Sequence, residues 1–409
     1  MGSGEWTLWR VMRKTLPLIA GLVLLMLACS APPGRQGAPS AADRTGTSLP
    51  AAEVGGLRVS TAGWSTDFSQ HEVHLSEIIS GGPGKDGIPA IDDPKFETVD
   101  AVDAGGWLEP QEPVIAVGIG DDWRAYPIQI LVWHEIVNDE VGGTPVTITF
   151  CPLCHTAIAF DRRVGEQVLD FGTTGNLRHS DLVMYDRQSE TWWQQATGRA
   201  IVGELTGTKL EFLPSQLISW EAFRTEHPDG RVLSRDTGHI RDYGANPYPG
   251  YDVVDDPPSL LEHKEMLLDG RLSPKVRILG LVMGDAAVAY PFPLLAENPV
   301  VNDVVGGEPI VVVWTDGAAS GLGASTVAGG RVVGAANAFS REVDGLTLTF
   351  EPADEGMMRD VETGSLWSLA GRADAGRLAG SQLELLVADS PFWFAWAIFR
   401  SDTRIWSPA

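Results

Sequence analysis

The chain is expected to fold as a mainly β protein of the α+β kind. It reads as two tandem copies of a small β-rich sheet or barrel domain, each with one or two packed helices. Two observations predict this. The sequence contains itself twice at a fixed spacing. Both copies string together short strand-like runs separated by turn residues, with few helix signals between them.

The repeat is read directly. Ala125-Tyr126-Pro127 and Val137-Asn138-Asp139-Glu140-Val141-Gly142-Gly143 recur as Ala289-Tyr290-Pro291 and Val301-Asn302-Asp303-Val304-Val305-Gly306-Gly307. The offset is constant at 164 (290 − 126; 306 − 142). Further on, Asp186, Trp193 and Gly198-Arg199-Ala200 align with Asp360, Trp367 and Gly371-Arg372-Ala373. Each copy closes on an aromatic amphipathic segment, Ser215–Glu226 in the first and Ser390–Arg400 in the second. The copies are placed at 110–235 and 275–409, with an N-terminal extension at 57–109 and a connector at 236–274.

Within the first copy, Thr144–Phe150, Ile158–Asp161, Val168–Phe171 and Asp181–Tyr185 are expected strands. Ile310–Val313 and Leu346–Phe350 are their counterparts in the second. Ile128–Val137 is an expected helix, ended by Asn-Asp and Gly-Gly. Ser215–Glu226 is another, with Ser215 as its cap and Leu217, Trp220, Glu221 and Arg224 at helical spacing.

The N-terminus suggests a location. Arg10, Arg13 and Lys14 precede an apolar run from Leu16 to Ala28, too short to span a bilayer comfortably and suited to a signal-peptide core. It ends in Met26-Leu27-Ala28-Cys29, which resembles a bacterial lipobox with Cys29 as the lipidated residue. Residues 30–56, rich in Pro, Gly, Ala and Ser, suit a flexible tether. The expectation is a lipid-anchored protein of the cell membrane, facing outside the cytoplasm. The net charge of −24 argues against a nucleic-acid partner.

Subtracting one copy from the other isolates candidate chemistry. What both keep, such as Tyr126/Tyr290 and Trp193/Trp367, is read as scaffold. What only the first has is the better functional candidate. At offset 164, Cys151, Cys154 and His155 become Thr315, Ala318 and Ala319, and His134 becomes Asn298. Arg187, Trp192 and Gln194 become Val361, Leu366 and Ser368. The loop Gly175–Asp181 has no equivalent, and from Arg277 onward there is no Cys or His.

Cys151-Pro152-Leu153-Cys154-His155 admits several chemistries. As C-x-x-C-H it spells a haem attachment motif, but its setting between two strand-like runs disfavours haem. As a redox dithiol it needs a lowered thiol pKa, for which Arg178, His179 or His155 are the available cations. As half of a soft-metal site for copper or zinc, it would be completed by His155, His179 or Met184. A structural disulfide or two inert buried thiols remain open. Asp181, Asp186, Arg187, Trp192 and Gln194 add the mixed polar and aromatic character of a small-molecule pocket. Arg241 and Tyr243, in the Tyr-rich connector Asp236–Asp252, lie on either a lid or a strap between the copies.

The segments FCPLCHTAIAFDRRV, FGTTGNLRHSDLVMYDRQSETWWQQATGRAIVGELTGTKLE, DTGHIRDYGANPYPGYD and FWFAWAIFRSDTRI together resemble domain-of-unknown-function family 3179, from about Ala101 to the C-terminus. Some members of that family are labelled possible selenoproteins, with selenocysteine in the CPLC segment. That implies redox chemistry at Cys151 or Cys154. The family pattern has Asn or Gly after CPLC, so His155 departs from it and haem is disfavoured further. The resemblance assigns no catalytic residue and no firm cofactor. The leading expectation is a Cys151/Cys154 dithiol acting on an unknown small molecule or redox partner, with Arg178 and His179 as thiolate stabilisers. A copper or zinc carrier and a non-catalytic binding module are the alternatives.

Overall fold

Alternating β-branched and small residues build the central strands. Thr144–Cys151 pairs with Ile136–Val141 on one side and Thr156–Asp161 on the other, all antiparallel. Phe212–Leu213 completes this four-stranded sheet. The computed structural model of the chain describes residues 56–261 and 268–408. The signal-peptide core, Cys29 and all but the last residue of the expected tether lie outside the described residues. Among the described residues no helix is long and apolar enough to cross a membrane.

The fold is mainly β with a few short helices. A second sheet of the first half runs Gln216–Ser219, Pro113–Ile119, Asp122–Pro127, Arg231–Leu233, Phe96–Thr98. A third runs Ile78–Ser80, Phe171–Arg178, Asp181–Asp186, Trp192–Gln194, Arg199–Val202. The second half repeats the plan in shorter form. Ala388–Asp389, Ile278–Met283, Ala286–Pro291 and Arg404–Ile405 form one sheet, and Val300–Val305, Glu308–Thr315 and Ala335–Ser340 another. Phe350–Pro352, Met358–Asp360, Leu366–Trp367 and Ala373–Ala375 form the third.

Identical polar bonds hold both halves. Tyr126 donates to Asp139 at 2.6 Å, and Tyr290 donates to Asp303 at 2.7 Å. The buried Trp193 indole donates to Asp186 at 2.9 Å, as Trp367 does to Asp360. Gly142 and Gly306 turn the hairpins at φ 55° and 60°. A Cβ on Gly142 would lie 2.4 Å from the Ile119 carbonyl oxygen, so the hairpin needs glycine there.

Two expected strands, Val168–Phe171 and Leu346–Phe350, are each broken, at 169–170 and 348–349. Three further expected elements need correction. The helix after Pro127 stops at His134, because Glu135 takes a left-handed conformation at φ 59°. Val137, Asn138 and Asp139 instead enter the next strand. Ser215 is not a helix cap. Gln216–Ser219 is a strand, and Ser219 caps the helix Trp220–Glu226 by accepting from the Ala222 N–H. The expected loop Gly175–Asp181 is mostly strand, with only His179-Ser180 forming its turn. In each case strand pairing overrode the local pattern.

The two halves meet directly. The Phe392 N–H donates to the Cys154 carbonyl at 3.0 Å, and the Ala157 N–H donates to Asp389 Oδ1 at 3.0 Å. The connector lies between them as a strap: Trp133 donates to the Ala245 carbonyl, and Asn246 Nδ2 to that of Ala324.

Asp186 also accepts from the backbone and hydroxyl of Ser189. Asp186→Ala and Asp360→Ala should each lower stability by about 2–4 kcal/mol, since each leaves a buried indole N–H unpaired. Urea unfolding checks this; a loss below ~0.5 kcal/mol for either would mean that the shared bonds are not structural.

Candidate functional site

The CPLC segment is a tight connection between two paired strands. Cys151 ends one and faces Thr156 at the start of the other, and His155 turns the chain at φ 58°. From the neighbouring sheet, Phe171–Arg178 and Asp181–Asp186 are joined by the two-residue turn His179-Ser180, both at positive φ (58° and 66°). Such a hairpin turn fixes the register, and it delivers Asp181 opposite the cysteines. Glu135, also left-handed, approaches from the end of the helix. Four of the seven non-glycine residues with positive φ among the described residues therefore frame one site. Such strain concentrates where geometry is functional.

The two Sγ atoms and an Asp181 carboxylate oxygen lie within 4.8 Å of one another, all buried. Both cysteines are free thiols. Cys154 Sγ donates to Asp181 Oδ1 at 2.9 Å and lies 3.0 Å from Thr156 Oγ1. The Thr156 hydroxyl gives its proton to Gln195 Oε1 at 2.6 Å. Gln195 in turn donates to Thr149 Oγ1 at 2.9 Å. The second Asp181 oxygen accepts from Gln194 Nε2 at 2.5 Å and from the Ala196 N–H at 2.9 Å. Cys151 Sγ lies 3.8 Å from the Ser180 carbonyl and also interacts with Cys154.

Burial dominates the electrostatics. It pushes the Cys151 thiol up, with the Asp181 and Glu135 charges adding to it. It pushes Cys154 well above the ordinary thiol range and raises Asp181 too. Glu135 is pushed up to about 8 by burial and by the neighbouring Asp181. Four acids thus act on one another in one buried site; among the described residues no cationic side chain hydrogen-bonds or ion-pairs with the two thiols or Asp181, and the Arg400 guanidinium acts on Asp181 only electrostatically.

The expected thiolate stabilisers are committed elsewhere. Arg178 donates to Glu77 at 2.7 Å and reaches the site only through Gln194 Oε1, at 3.2 Å. His179 faces Glu77 at 3.5 Å and the Phe399 ring, and burial lowers it to about 4. His155 points into the second half: its Nε2 is 3.2 Å from both the Ser320 carbonyl and Arg277 Nη1. Neither His179 nor His155 joins the sulfurs, which corrects the expected ligand set: Asp181 takes that place. Met184 packs in the same apolar cluster as the pair.

Gln194 and Asp181 belong to the site; the other pocket candidates do not. Asp186 is tied up by Ser189 and Trp193. Arg187 pairs with Asp92 at 2.9 Å. Trp192 packs against Trp64 and Phe68. Tyr243 hydrogen-bonds His134 at 2.7 Å in a separate cluster, and Arg241 donates to the Ile240 carbonyl. From the connector it is Tyr248 and Tyr251 that pack against the cysteine core. The Tyr251 hydroxyl is buried and faces the hydroxyls of Ser180 and Ser259.

Sequence reading missed Glu135, although the repeat carries the signal. At offset 164 its counterpart is Pro299, and the backbone bond Phe150 N–H to Glu135 carbonyl recurs as Trp314 N–H to Pro299 carbonyl.

A neutral buried Glu135 links stability to pH. Its folded pKa of about 8 lies above the ordinary 4.5, so its stabilisation is complete below 4.5 and is lost as pH rises through 8. With chelator present, Glu135→Gln should gain stability relative to the parent chain between pH 5 and 8. The slope should not exceed about 1.4 kcal/mol per pH unit. Parallel pH–stability curves from urea unfolding would rule out a perturbed Glu135.

A protein family described as "Protein of unknown function (DUF3179)" matches residues 85–403, most of the chain, and the chain belongs to that family. No curated protein and no solved structure matches it.

Proposed function

We propose that this DUF3179 member binds a soft or borderline metal ion, of the zinc or copper(I) class, through Cys151, Cys154 and Asp181. One observation carries the reading: two sulfurs and a carboxylate oxygen converge within 4.8 Å in a buried site. Sulfur with carboxylate suits zinc, and the paired sulfurs alone would suit copper(I). Three protein ligands leave a position open. Glu135, whose proton affinity is raised by burial and by Asp181, would be the nearby group able to take or give a proton. The N-terminal apolar run and Cys29 support a lipid tether, which would place this centre outside the cytoplasm.

The thiol/disulfide reading has its own observation: both thiols are free, and Asp181 sits 2.9 Å from Cys154 Sγ, placed to take its proton. Closing the disulfide would release two protons and hand two electrons to an acceptor such as a disulfide or peroxide. Thiols that resist ionisation favour a reducing pair, since a stabilised reduced form is what makes a pair oxidising.

Anaerobic purification with metal analysis and thiol trapping separates the two. The expected result is about one equivalent of zinc or copper per chain. Cys151→Ser and Asp181→Asn should each weaken metal binding by ~100-fold or more, and chelation should open both cysteines to alkylation. A chain that refuses both metals yet cycles reversibly between dithiol and disulfide would replace the metal reading with the redox one.

A further inference from the structure

A cavity of about 630 Å³ opens between the two halves, on the far side of Ala196 from the cysteines. Its volume lies in the range of small-molecule sites. Ile158, Leu210, Phe212, Val387, Trp396 and Phe399 give it apolar walls. The rim carries Lys209 and Glu211, of opposite charge, and Arg199, which is already paired with Glu72.

Two inner groups are not spoken for. The Arg400 guanidinium stacks on the Trp396 ring at 4.1 Å, and its one hydrogen bond among the described residues is Nη2 to the Ala196 carbonyl at 3.3 Å. A guanidinium has five N–H donors, so most of its capacity faces the cavity. Asp389 Oδ1 accepts from the backbone of Ala157 and Ser390, while Oδ2 has no hydrogen bond among the described residues. The two side chains act on each other electrostatically, yet they form no ion pair. Burial holds a cation and a carboxyl side by side without letting either satisfy the other. A ligand with an anion and a cation on adjacent atoms would complete both.

We propose that this cavity binds an α-amino acid with a large apolar side chain, its carboxylate on Arg400 and its ammonium on Asp389. The side chain lies along Trp396, Phe399 and Phe212. The site lies across Ala196 from Asp181, on which Arg400 acts electrostatically, and its lining shares no residue with the Cys151, Cys154 and Asp181 set.

Three compounds that share a phenyl ring and differ in head group test it by titration calorimetry on the full chain: L-phenylalanine, 3-phenylpropanoate and phenethylamine. L-phenylalanine is expected to bind one per chain, about tenfold or more tighter than either of the others. Arg400→Lys keeps the charge but loses the planar fork. It should weaken L-phenylalanine and 3-phenylpropanoate about tenfold and leave phenethylamine unchanged. Asp389→Asn should remove the advantage of L-phenylalanine over 3-phenylpropanoate. Melting temperatures show that the variants are folded, and Arg400→Lys keeps the test open if Asp389→Asn is not. No binding of any of the three at millimolar concentration, phenethylamine binding as tightly as L-phenylalanine, or an Arg400→Lys chain with parental affinities would each overturn the proposal.

Discussion

A buried carboxylate beside two buried thiols is the constraint around which the first half is organised. Asp181 forms no ion pair among the described residues; its oxygens are held by Gln194, the Ala196 backbone and the Cys154 thiol, with the Arg400 guanidinium acting on it only electrostatically. Neutral donors replace only part of the water that burial removes. The remainder is met by proton uptake or by a bound cation, and the raised proton affinity of all four acids expresses the same fact. The tight His179-Ser180 turn, the left-handed Glu135 and the short CPLC connection are the backbone devices that bring these groups together.

Duplication explains how such a site is kept rigid. The second half repeats the Tyr–Asp and Trp–Asp bonds of the first and contributes no cysteine or histidine. Its closing segment nevertheless reaches across. Phe392 bonds the Cys154 carbonyl, and Leu322, Phe392 and Phe394 enter the apolar cluster that contains both cysteines. One copy carries the buried thiols and carboxylate, and the other helps to cover them. His155 serves that contact through Ser320 and Arg277, and burial drives it down to about 3.

Much of this was legible beforehand because duplication is a pattern within the chain itself. The β-rich character was read from strand-like runs between turn residues, and comparing the copies gave the shared scaffold residues and singled out Cys151, Cys154, Asp181 and Gln194 as candidates. What was not legible depends on which way a side chain points. Arg178 precedes the right turn and His179 belongs to it, yet both side chains face Glu77 instead of the sulfurs. Asp186 resembled a site residue until its bonds to Ser189 and Trp193 accounted for it. Glu135 was hidden by its neighbour His134, and Arg400 by 246 positions of sequence separating it from Cys154 (400 − 154).

Ala196 is an unassuming residue with two allegiances. Its N–H holds Asp181 on the sulfur side, and its carbonyl holds Arg400 on the cavity side. One α-carbon therefore belongs to two chambers, and any displacement of it alters both bonds together. The chain contains a mechanical junction of a single residue, in a short 3₁₀ turn, between a place that concentrates negative charge and a place that offers a positive one.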